Sequence, residues 1–144
     1  MATERRAQVT WDGDLMSGSG HIETVSSGAL GGLDVDWRAR SEQPGGKTSP
    51  EELIAAAHAT CLSMALSNGL AQAGHAPEKL ETSATVTFQP GEGITKIALE
   101  VVGRVPGMDE DAFEQAAKQA KENCPVSKAL AGVPEIDLSA RLDH

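Results

Sequence analysis

The sequence Ser49-Pro50-Glu51-Glu52-Leu53-Ile54-Ala55-Ala56-Ala57-His58-Ala59-Thr60-Cys61-Leu62-Ser63-Met64-Ala65-Leu66 decides the fold of this chain. Its first four residues predict a helix start: a serine cap, a proline at the first helical position, and a glutamate that completes a capping box. None of the following side chains up to Leu66 carries a fixed charge, and a helix that is apolar on every side is typically buried. Stop signals at Asn68-Gly69 and Ala73-Gly74 give it about five turns. The sequence therefore predicts a long buried helix with one cysteine, Cys61, near its middle.

Length and composition indicate one folded domain. The chain has 144 residues, of which 40% are hydrophobic and 23% are charged, so residues 1–144 fit a single domain with one core. Twelve Lys and Arg stand against twenty-one Asp and Glu, which gives a formal net charge of −9. Such a surface repels phosphate backbones, and we therefore expect no nucleic-acid partner.

The same features predict where the chain is found. The uncharged helix is expected to be shorter than the ~20 residues that a membrane span needs, so no membrane partner is expected. The N-terminal segment lacks the apolar core of a signal peptide, and the sequence therefore predicts a cytoplasmic protein. In that reducing compartment, the two cysteines are expected to be thiols rather than a structural disulfide.

The remaining elements alternate in a pattern typical of an α+β fold. Three short strands are predicted before the helix, and the third, Leu33–Ser41, would carry Arg38 and Arg40 on one face. A hairpin, two helices and a last strand are predicted after it. The order β-β-β-α-β-β-α-α-β predicts one α+β domain with an antiparallel sheet and helices packed on it. The other predicted elements are strands at Ala7–Asp12, His21–Ser26, Leu80–Phe88, Ile94–Val105 and Ile136–Leu142, and helices at Asp109–Glu122 and Val126–Leu130.

The residues alone leave the chemistry open. A lone cysteine on an apolar helix is more often a small hydrophobe than a nucleophile. Cys124 stands between a helix end and Pro125, where backbone N–H groups can stabilise a thiolate. Nothing in the spacing shows that Cys61 and Cys124 meet. His58 and Cys61 supply two metal ligands where a structural zinc needs four, so no metal is predicted, and a Cys–His pair on one helix is weak support for a hydrolase.

Two segments resemble those of a known family. Residues 49–66 are similar to the first cysteine segment of the OsmC/Ohr family of organic hydroperoxide reductases, and Asn123-Cys124-Pro125-Val126-Ser127 is similar to the second. Trp11-Asp12-Gly13-Asp14-Leu15 and Ile94-Thr95-Lys96-Ile97 also fit the family. An arginine shortly before the Pro-Glu-Glu-Leu sequence points to the OsmC branch. The resemblance thus covers nearly the whole chain.

The resemblance implies a role for each site residue. Cys61 would be the thiol that attacks the peroxide, and Cys124 would resolve its sulfenic acid into a Cys61–Cys124 disulfide. Arg40 matches the family's arginine best, although Arg38 stays open, and Glu51 would hold that arginine by a charge-assisted bond. Full ionisation of an ordinary thiol gains only about thirtyfold at pH 7, or roughly 2 kcal/mol. The arginine would therefore also position the peroxide and stabilise the departing alkoxide.

The family also implies partners and an assembly. The expected protein is an antioxidant stress-response peroxidase that forms an intertwined homodimer with antiparallel sheets packed on long central helices. A dithiol reductant, either a lipoyl protein or dihydrolipoamide, would reopen the disulfide, and no cofactor is needed. Two alternatives remain: a non-catalytic thiol stress sensor or apolar-ligand-binding protein of the same fold, and a purely structural role for both cysteines.

Overall fold

The computed structural model describes residues 2–143, which form two compact units that divide within one helix: residues up to Leu53, and residues from Ile54 onward. Whether they make up the single domain expected from the sequence stays a prediction. The elements in chain order are β1 (Ala7–Asp12), β2 (Ser19–Val25), β3 (Asp34–Val35), α1 (Trp37–Ser41), α2 (Pro50–Gln72), β4 (Lys79–Gln89), β5 (Gly93–Arg104), α3 (Glu110–Asn123), α4 (Pro125–Ala129) and β6 (Glu135–Leu142).

The first unit is built on a small antiparallel sheet. Its strand order is β1-β2-β3, and both pairings are antiparallel, as predicted. The predicted third strand Leu33–Ser41 is wrong beyond Val35, because the chain turns there into helix α1. Asp36 causes the change: its carboxylate accepts the Ala39 N–H at 2.7 Å and caps a helical turn. Alternating polarity over a few residues could not reveal that cap.

Helix α2 begins at the predicted residues. The Ser49 hydroxyl accepts the Glu52 N–H at 3.2 Å, which is the first half of the expected capping box. The second half is replaced, because the Glu52 carboxylate accepts the Thr48 hydroxyl at 2.8 Å. The helix continues through the first predicted stop signal, Asn68-Gly69, and ends at Gln72, directly before the second, Ala73-Gly74, where Gly74 has a φ of 88°.

The burial of α2 within the single chain is one-sided. Side chains four residues apart are buried along one stripe, formed by His58, Leu62, Leu66 and Leu70. The opposite side is open in this chain, with Ala56, Ala57 and Thr60 exposed and Met64 69% exposed. The single chain thus buries one stripe of the helix, and burial of its other sides, which was expected together with the homodimer, stays a prediction.

The length of α2 also corrects an expectation. The helix has 23 residues and is long and apolar enough to cross a membrane by those two criteria alone, although 22% of its most apolar window is buried against the chain. The expectation that the stretch is too short is wrong. Central helices of soluble proteins meet the same criteria, so a single helix of this kind says little about a membrane.

The second unit holds a three-stranded sheet of order β4-β5-β6. Strands β4 and β5 form the predicted antiparallel hairpin. Strand β6 departs from the expected antiparallel arrangement and runs parallel to β5, from the pair Lys96 with Glu135 to the pair Gly103 with Leu142. The connection through α3 and α4 is long enough to carry the chain back to the start of the sheet, which a parallel pairing requires.

The core lies in this second unit. Leucines of α2 pack with β5 and with α3, whose predicted cap Asp109 accepts the Ala112 N–H at 2.8 Å. Phe113 is fully buried against Gly103, where an added Cβ would lie 2.5 Å from the ring. A glycine is therefore required at this point of β5, and α3 is fixed closely on the sheet. The predicted short helix also forms, beginning at Pro125.

Candidate active site

The first unit brings Arg40 and Glu51 together. Arg40 Nε donates to Glu51 Oε1 and Oε2 at 3.0 and 3.1 Å, and Nη2 donates to Oε2 at 2.9 Å. The Glu51 side chain is 8% exposed and that of Arg40 is 33% exposed. A planar guanidinium held by a buried carboxylate through several hydrogen bonds has a fixed orientation. The pair thus presents a positioned cation, with Glu51 engaged by the arginine rather than by the helix end alone.

Arg38, the other candidate arginine, has different surroundings. Its Nε donates to Glu42 Oε2 at 3.2 Å across one helical turn, and its side chain is 78% exposed. Exposed pairs of this kind hold their side chains weakly. Because α1 is a helix, Arg38 and Arg40 do not share the strand face that the sequence suggested, and only Arg40 contacts Glu51.

A cavity of about 300 Å³ lies beside Arg40 in the first unit. Its lining is mainly apolar and includes Val9, Trp11, Leu15 and Ile22. Among the described residues that line it, Arg40 is the one basic group. A cavity with apolar walls and one oriented cation suits a ligand that has an apolar organic group at one end and, at the other, a polar group that can carry negative charge.

The second unit brings Cys61 and Cys124 together. The two thiols lie close enough that each shifts the pKa of the other, and both cysteines are free. Cys124 is completely buried, whereas Cys61 is partly accessible. Cys61 lies near the middle of α2 and Cys124 between α3 and α4, so packing of these helices brings together residues that are far apart in the sequence. Of the two sulfurs, Cys61 is the one that a solute can reach.

Hydrogen-bond donors divide unequally between the two sulfurs. Burial raises the pKa of the Cys61 thiol, and its hydrogen bond to Cys124 raises it further, against a single Val126 N–H. Burial also opposes ionisation of Cys124. Hydrogen bonds from Cys61 and from the N–H and hydroxyl of Ser127 outweigh that cost and lower the pKa of the Cys124 thiol. These surroundings favour a thiolate on Cys124 more than one on Cys61.

His58 and Ser127 belong to the same cluster, and sequence reasoning did not find their contact. His58 Nε2 lies 2.7 Å from Ser127 Oγ, although 69 residues separate them. His58 is completely buried. The available signals were an ionisable side chain on an apolar helix one turn before Cys61 and a hydroxyl residue in the first turn after Cys124. Neither signal identifies a partner without the fold.

The described residues 2–143 include no group of three or more His, Cys, Asp or Glu side chains arranged to hold a metal ion. His58 is hydrogen-bonded to Ser127, and no hydrogen bond between His58 and Cys61 is observed among those residues.

Comparison with known proteins identifies the family. Residues 43–139 match the family model described as OsmC-like protein. The chain is 41% identical over 140 residues to peroxiredoxin OsmC of Escherichia coli (strain K12), covering 95% of this chain and 96% of that protein.

Solved structures agree with this fold. An OsmC-like protein from Mycoplasma pneumoniae superposes with a TM-score of 0.74 over 100% of both chains at 17% identity. The organic hydroperoxide resistance protein OhrB of Bacillus subtilis superposes with a TM-score of 0.64 at 27% identity, covering 96% of this chain and 98% of that chain. Identity is thus higher to the OsmC protein than to the Ohr protein. The chain belongs to the OsmC/Ohr family, in its OsmC branch.

Proposed function

We propose that this protein is a thiol-dependent peroxidase that reduces organic hydroperoxides to alcohols, and inorganic peroxide more weakly. The observation that carries the proposal is the pair of neighbouring free thiols, one partly accessible and one buried. A buried second thiol in contact with the first can capture an oxidised sulfur without competing for the substrate. The names of two relatives, a peroxiredoxin and an organic hydroperoxide resistance protein, support the same activity.

The proposed reaction begins at Cys61. Its thiolate attacks the outer oxygen of the hydroperoxide ROOH, the O–O bond breaks, and the products are the Cys61 sulfenic acid and the alkoxide RO⁻. The alkoxide takes a proton and leaves as the alcohol. The Cys124 thiolate then attacks the Cys61 sulfur, the S–O bond breaks, and hydroxide leaves as the Cys61–Cys124 disulfide forms. Disulfide formation prevents further oxidation of the sulfenic acid.

Arg40 is proposed to act on the oxygen end of the substrate. Its guanidinium, oriented by Glu51, would bind the peroxide and stabilise the charge that develops on the alkoxide. The apolar cavity beside Arg40 would accept the organic group. Arg38, which is exposed and pairs with Glu42, has no role in the proposal.

A dithiol completes the proposed cycle. Two thiols of the reductant reduce the Cys61–Cys124 disulfide and are themselves oxidised to a disulfide. Dihydrolipoamide or a lipoyl protein is proposed for this role, and a cytoplasmic location would supply it. A homodimer is also proposed, because large apolar side chains are exposed in both units of the single chain, including Leu15, Met16 and Met64.

Steady-state turnover tests the proposal. Cumene hydroperoxide and dihydrolipoamide should be consumed together by the wild-type protein, and the Cys61→Ser variant should show no consumption above the background reaction. Cys124→Ser is the matched control, since it should react once with peroxide and retain a sulfenic acid that dimedone traps. Intact mass after peroxide should show the loss of two hydrogens in the wild type. Equal rates for the wild type and Cys61→Ser would reject the peroxidase function.

A second candidate is a sensor or binding protein that holds an apolar ligand without turnover. The cavity of about 300 Å³ in the first unit favours it. Under this alternative, the disulfide would form after one equivalent of peroxide, but dihydrolipoamide would not restore the thiols at a rate that sustains turnover. The turnover experiment therefore separates the two functions.

A further inference from the structure

The resolving thiol lies at the end of a chain of polar groups inside an otherwise apolar cluster. His58 Nε2 and Ser127 Oγ are 2.7 Å apart, and Ser127 lies in the first turn of α4, which begins directly after Cys124, close enough to the Cys124 sulfur to lower the pKa of that thiol. His58 and Cys124 are completely buried. A buried polar group is retained only where its hydrogen bonds offset the cost of desolvation. The His58–Ser127 contact thus calls for a role beyond filling space.

The unpaired atom of His58 fixes the direction of this chain. Nδ1 is buried and has no hydrogen-bond partner among the described residues. Burial lowers the pKa of His58, and the positive charge of Lys121 lowers it further, so the ring is neutral and carries one N–H. An orphaned N–H donor is rarer in proteins than an unused lone pair, so the proton belongs on Nε2. Nε2–H then donates to Ser127 Oγ, which leaves the serine proton to point at Cys124.

We propose that Ser127 and His58 are positioning residues for the resolving step: they direct a chain of hydrogen-bond donors onto Cys124 Sγ and keep it ready to attack the Cys61 sulfenic acid. This inference rests on the proposed peroxidase function for its kinetic part. In the step concerned, the Cys124–Cys61 S–S bond forms, the S–O bond of the sulfenic acid breaks, and the hydroxide that leaves is protonated by solvent. Neither Ser127 nor His58 gains or loses a proton overall.

The chain of donors should accelerate the resolving step. Thiolate reactivity falls as the pKa falls, but only with a slope of about 0.4–0.5. Below the titration midpoint, a rise of one unit in the pKa of Cys124 therefore lowers the thiolate concentration about tenfold and raises the reactivity of each thiolate about threefold. The rate of the resolving step then falls by about threefold. Above both midpoints, the same variant should be about threefold faster. This crossover with pH is a signature that a misfolded or loosened variant would not give.

The titration of Cys124 tests the inference without any peroxide. The titratable groups around Cys124 are Cys61 and His58 on α2 and Lys121 on α3, and Lys128 of α4 lines a cleft with Ser127. In a Cys61→Ser background, Cys124 is the one remaining cysteine of the sequence, and its ionisation can be followed by thiolate absorbance. Ser127→Ala should raise the midpoint by about one pH unit, since a hydrogen bond to a charged group is removed. Ser127→Thr keeps a hydroxyl and should retain the original midpoint.

His58 has a matched pair of amide variants. Glutamine can place an N–H near the position of Nε2, whereas asparagine reaches only as far as Nδ1. His58→Gln should therefore keep the midpoint of Cys124, and His58→Asn should raise it, by less than Ser127→Ala does. An unchanged midpoint in both Ser127→Ala and His58→Asn would overturn the inference.

Single-turnover kinetics test the functional part. The first step is measured as consumption of one equivalent of cumene hydroperoxide, and the second as disulfide formation by intact mass. Ser127→Ala should slow the second step near neutral pH and show the crossover above the midpoint. A second step that is slower at every pH would overturn the inference. Failure of the wild type to consume peroxide would reject the proposed function instead, and the titration would still decide the role of Ser127 and His58.

Discussion

The two units of this chain bury their apolar residues to very different extents. In the second unit, a continuous core joins α2, β5 and α3 and includes fully buried residues such as Leu62, Ile97 and Phe113. In the first unit, all of β1 is exposed, and the large side chains of Val9, Leu15 and Met16 are more than half exposed. The unit with the thiol pair therefore has its own packing, whereas the unit with the arginine leaves much of its apolar surface uncovered.

The thiol pair and Arg40 are therefore held in place in different ways. The thiol pair is held by rigid helices over a dense core, and its geometry depends on the chain itself. Arg40 is held by a buried carboxylate in a unit of little core. Small, thinly packed regions are usually stabilised by a further contact, which is consistent with the proposed homodimer.

The largest expected effect is on stability in the second unit. Phe113→Ala removes a fully buried ring and should lower the free energy of unfolding by about 3–5 kcal/mol. Met16→Ala in the first unit, where the side chain is 71% exposed in the single chain, should change it by less than about 0.5 kcal/mol when the protein is monomeric. Urea unfolding at a protein concentration below the dimer dissociation constant measures both. A comparable loss in the two variants would contradict the difference in burial between the two units.

The next effect is on catalysis and belongs to the first unit. Arg40→Ala should reduce kcat/KM for cumene hydroperoxide by about 10²–10³-fold, the range expected when a donor to a developing oxyanion is removed. Glu51→Gln should cause a smaller loss, because the guanidinium remains but loses its orientation. Arg38→Ala is the control and should have little effect. A larger loss in Arg38→Ala than in Arg40→Ala would reverse the assignment of the arginine.

A moderate effect is expected on assembly. Met64 is exposed on the open side of α2, and the proposed dimer would cover it. Met64→Glu would place a charge in that interface and should raise the dimer dissociation constant at least about tenfold. Sedimentation over a range of concentrations measures this, with Thr60→Ser as a mild control on the same side. A wild-type protein that is monomeric at all concentrations would remove the dimer from the proposal.

The smallest effects are on pH dependence, where one histidine in each unit should act in opposite directions. Burial lowers the pKa of His58, so as pH falls below about 6.5 the unfolded state binds a proton that the folded state does not, and stability falls. The hydrogen bond to Asp34 raises the pKa of His21, so its contribution is complete below about pH 6.5 and is lost as pH rises through the folded value.

Urea midpoints at about pH 7.5 and about pH 5.5 measure both contributions. His58→Gln should reduce the loss of stability on acidification, and His21→Gln should increase it slightly, because His21 is exposed. The same change in both variants would show that carboxylates, rather than these histidines, determine the acid behaviour.

The local signals in the sequence predicted much of the fold. The cap at Ser49, the cap at Asp109, the helix start at Pro125 and the β4–β5 hairpin all formed as expected, because each depends on residues within a few positions. Helix α1 was missed for a related reason. The cap made by Asp36 competes with an eight-residue alternation of polarity from Leu33 to Arg40, and the sequence pattern does not reveal which one prevails.

Other features depend on residues that are far apart in the chain. The parallel pairing of β6 depends on how α3 and α4 return across the sheet, and periodicity alone does not give a strand its direction. The exposed side of α2 depends on how many partners the chain supplies. The composition of α2 is apolar all round, and it predicts burial without saying which surface provides it.

The sequence by itself determined the long apolar helix and its start. It also placed Cys61 near the middle of that helix and Cys124 at the end of another, and the two cysteine segments identified the family. Only the tertiary structure decided that Cys61 meets Cys124, that Arg40 rather than Arg38 meets Glu51, and that His58 meets Ser127. The physical reason is distance along the chain. Caps and turns are set by neighbouring residues. These contacts form only when packing brings together side chains that are far apart in the chain: 11 residues for Arg40 and Glu51, 63 for Cys61 and Cys124, and 69 for His58 and Ser127.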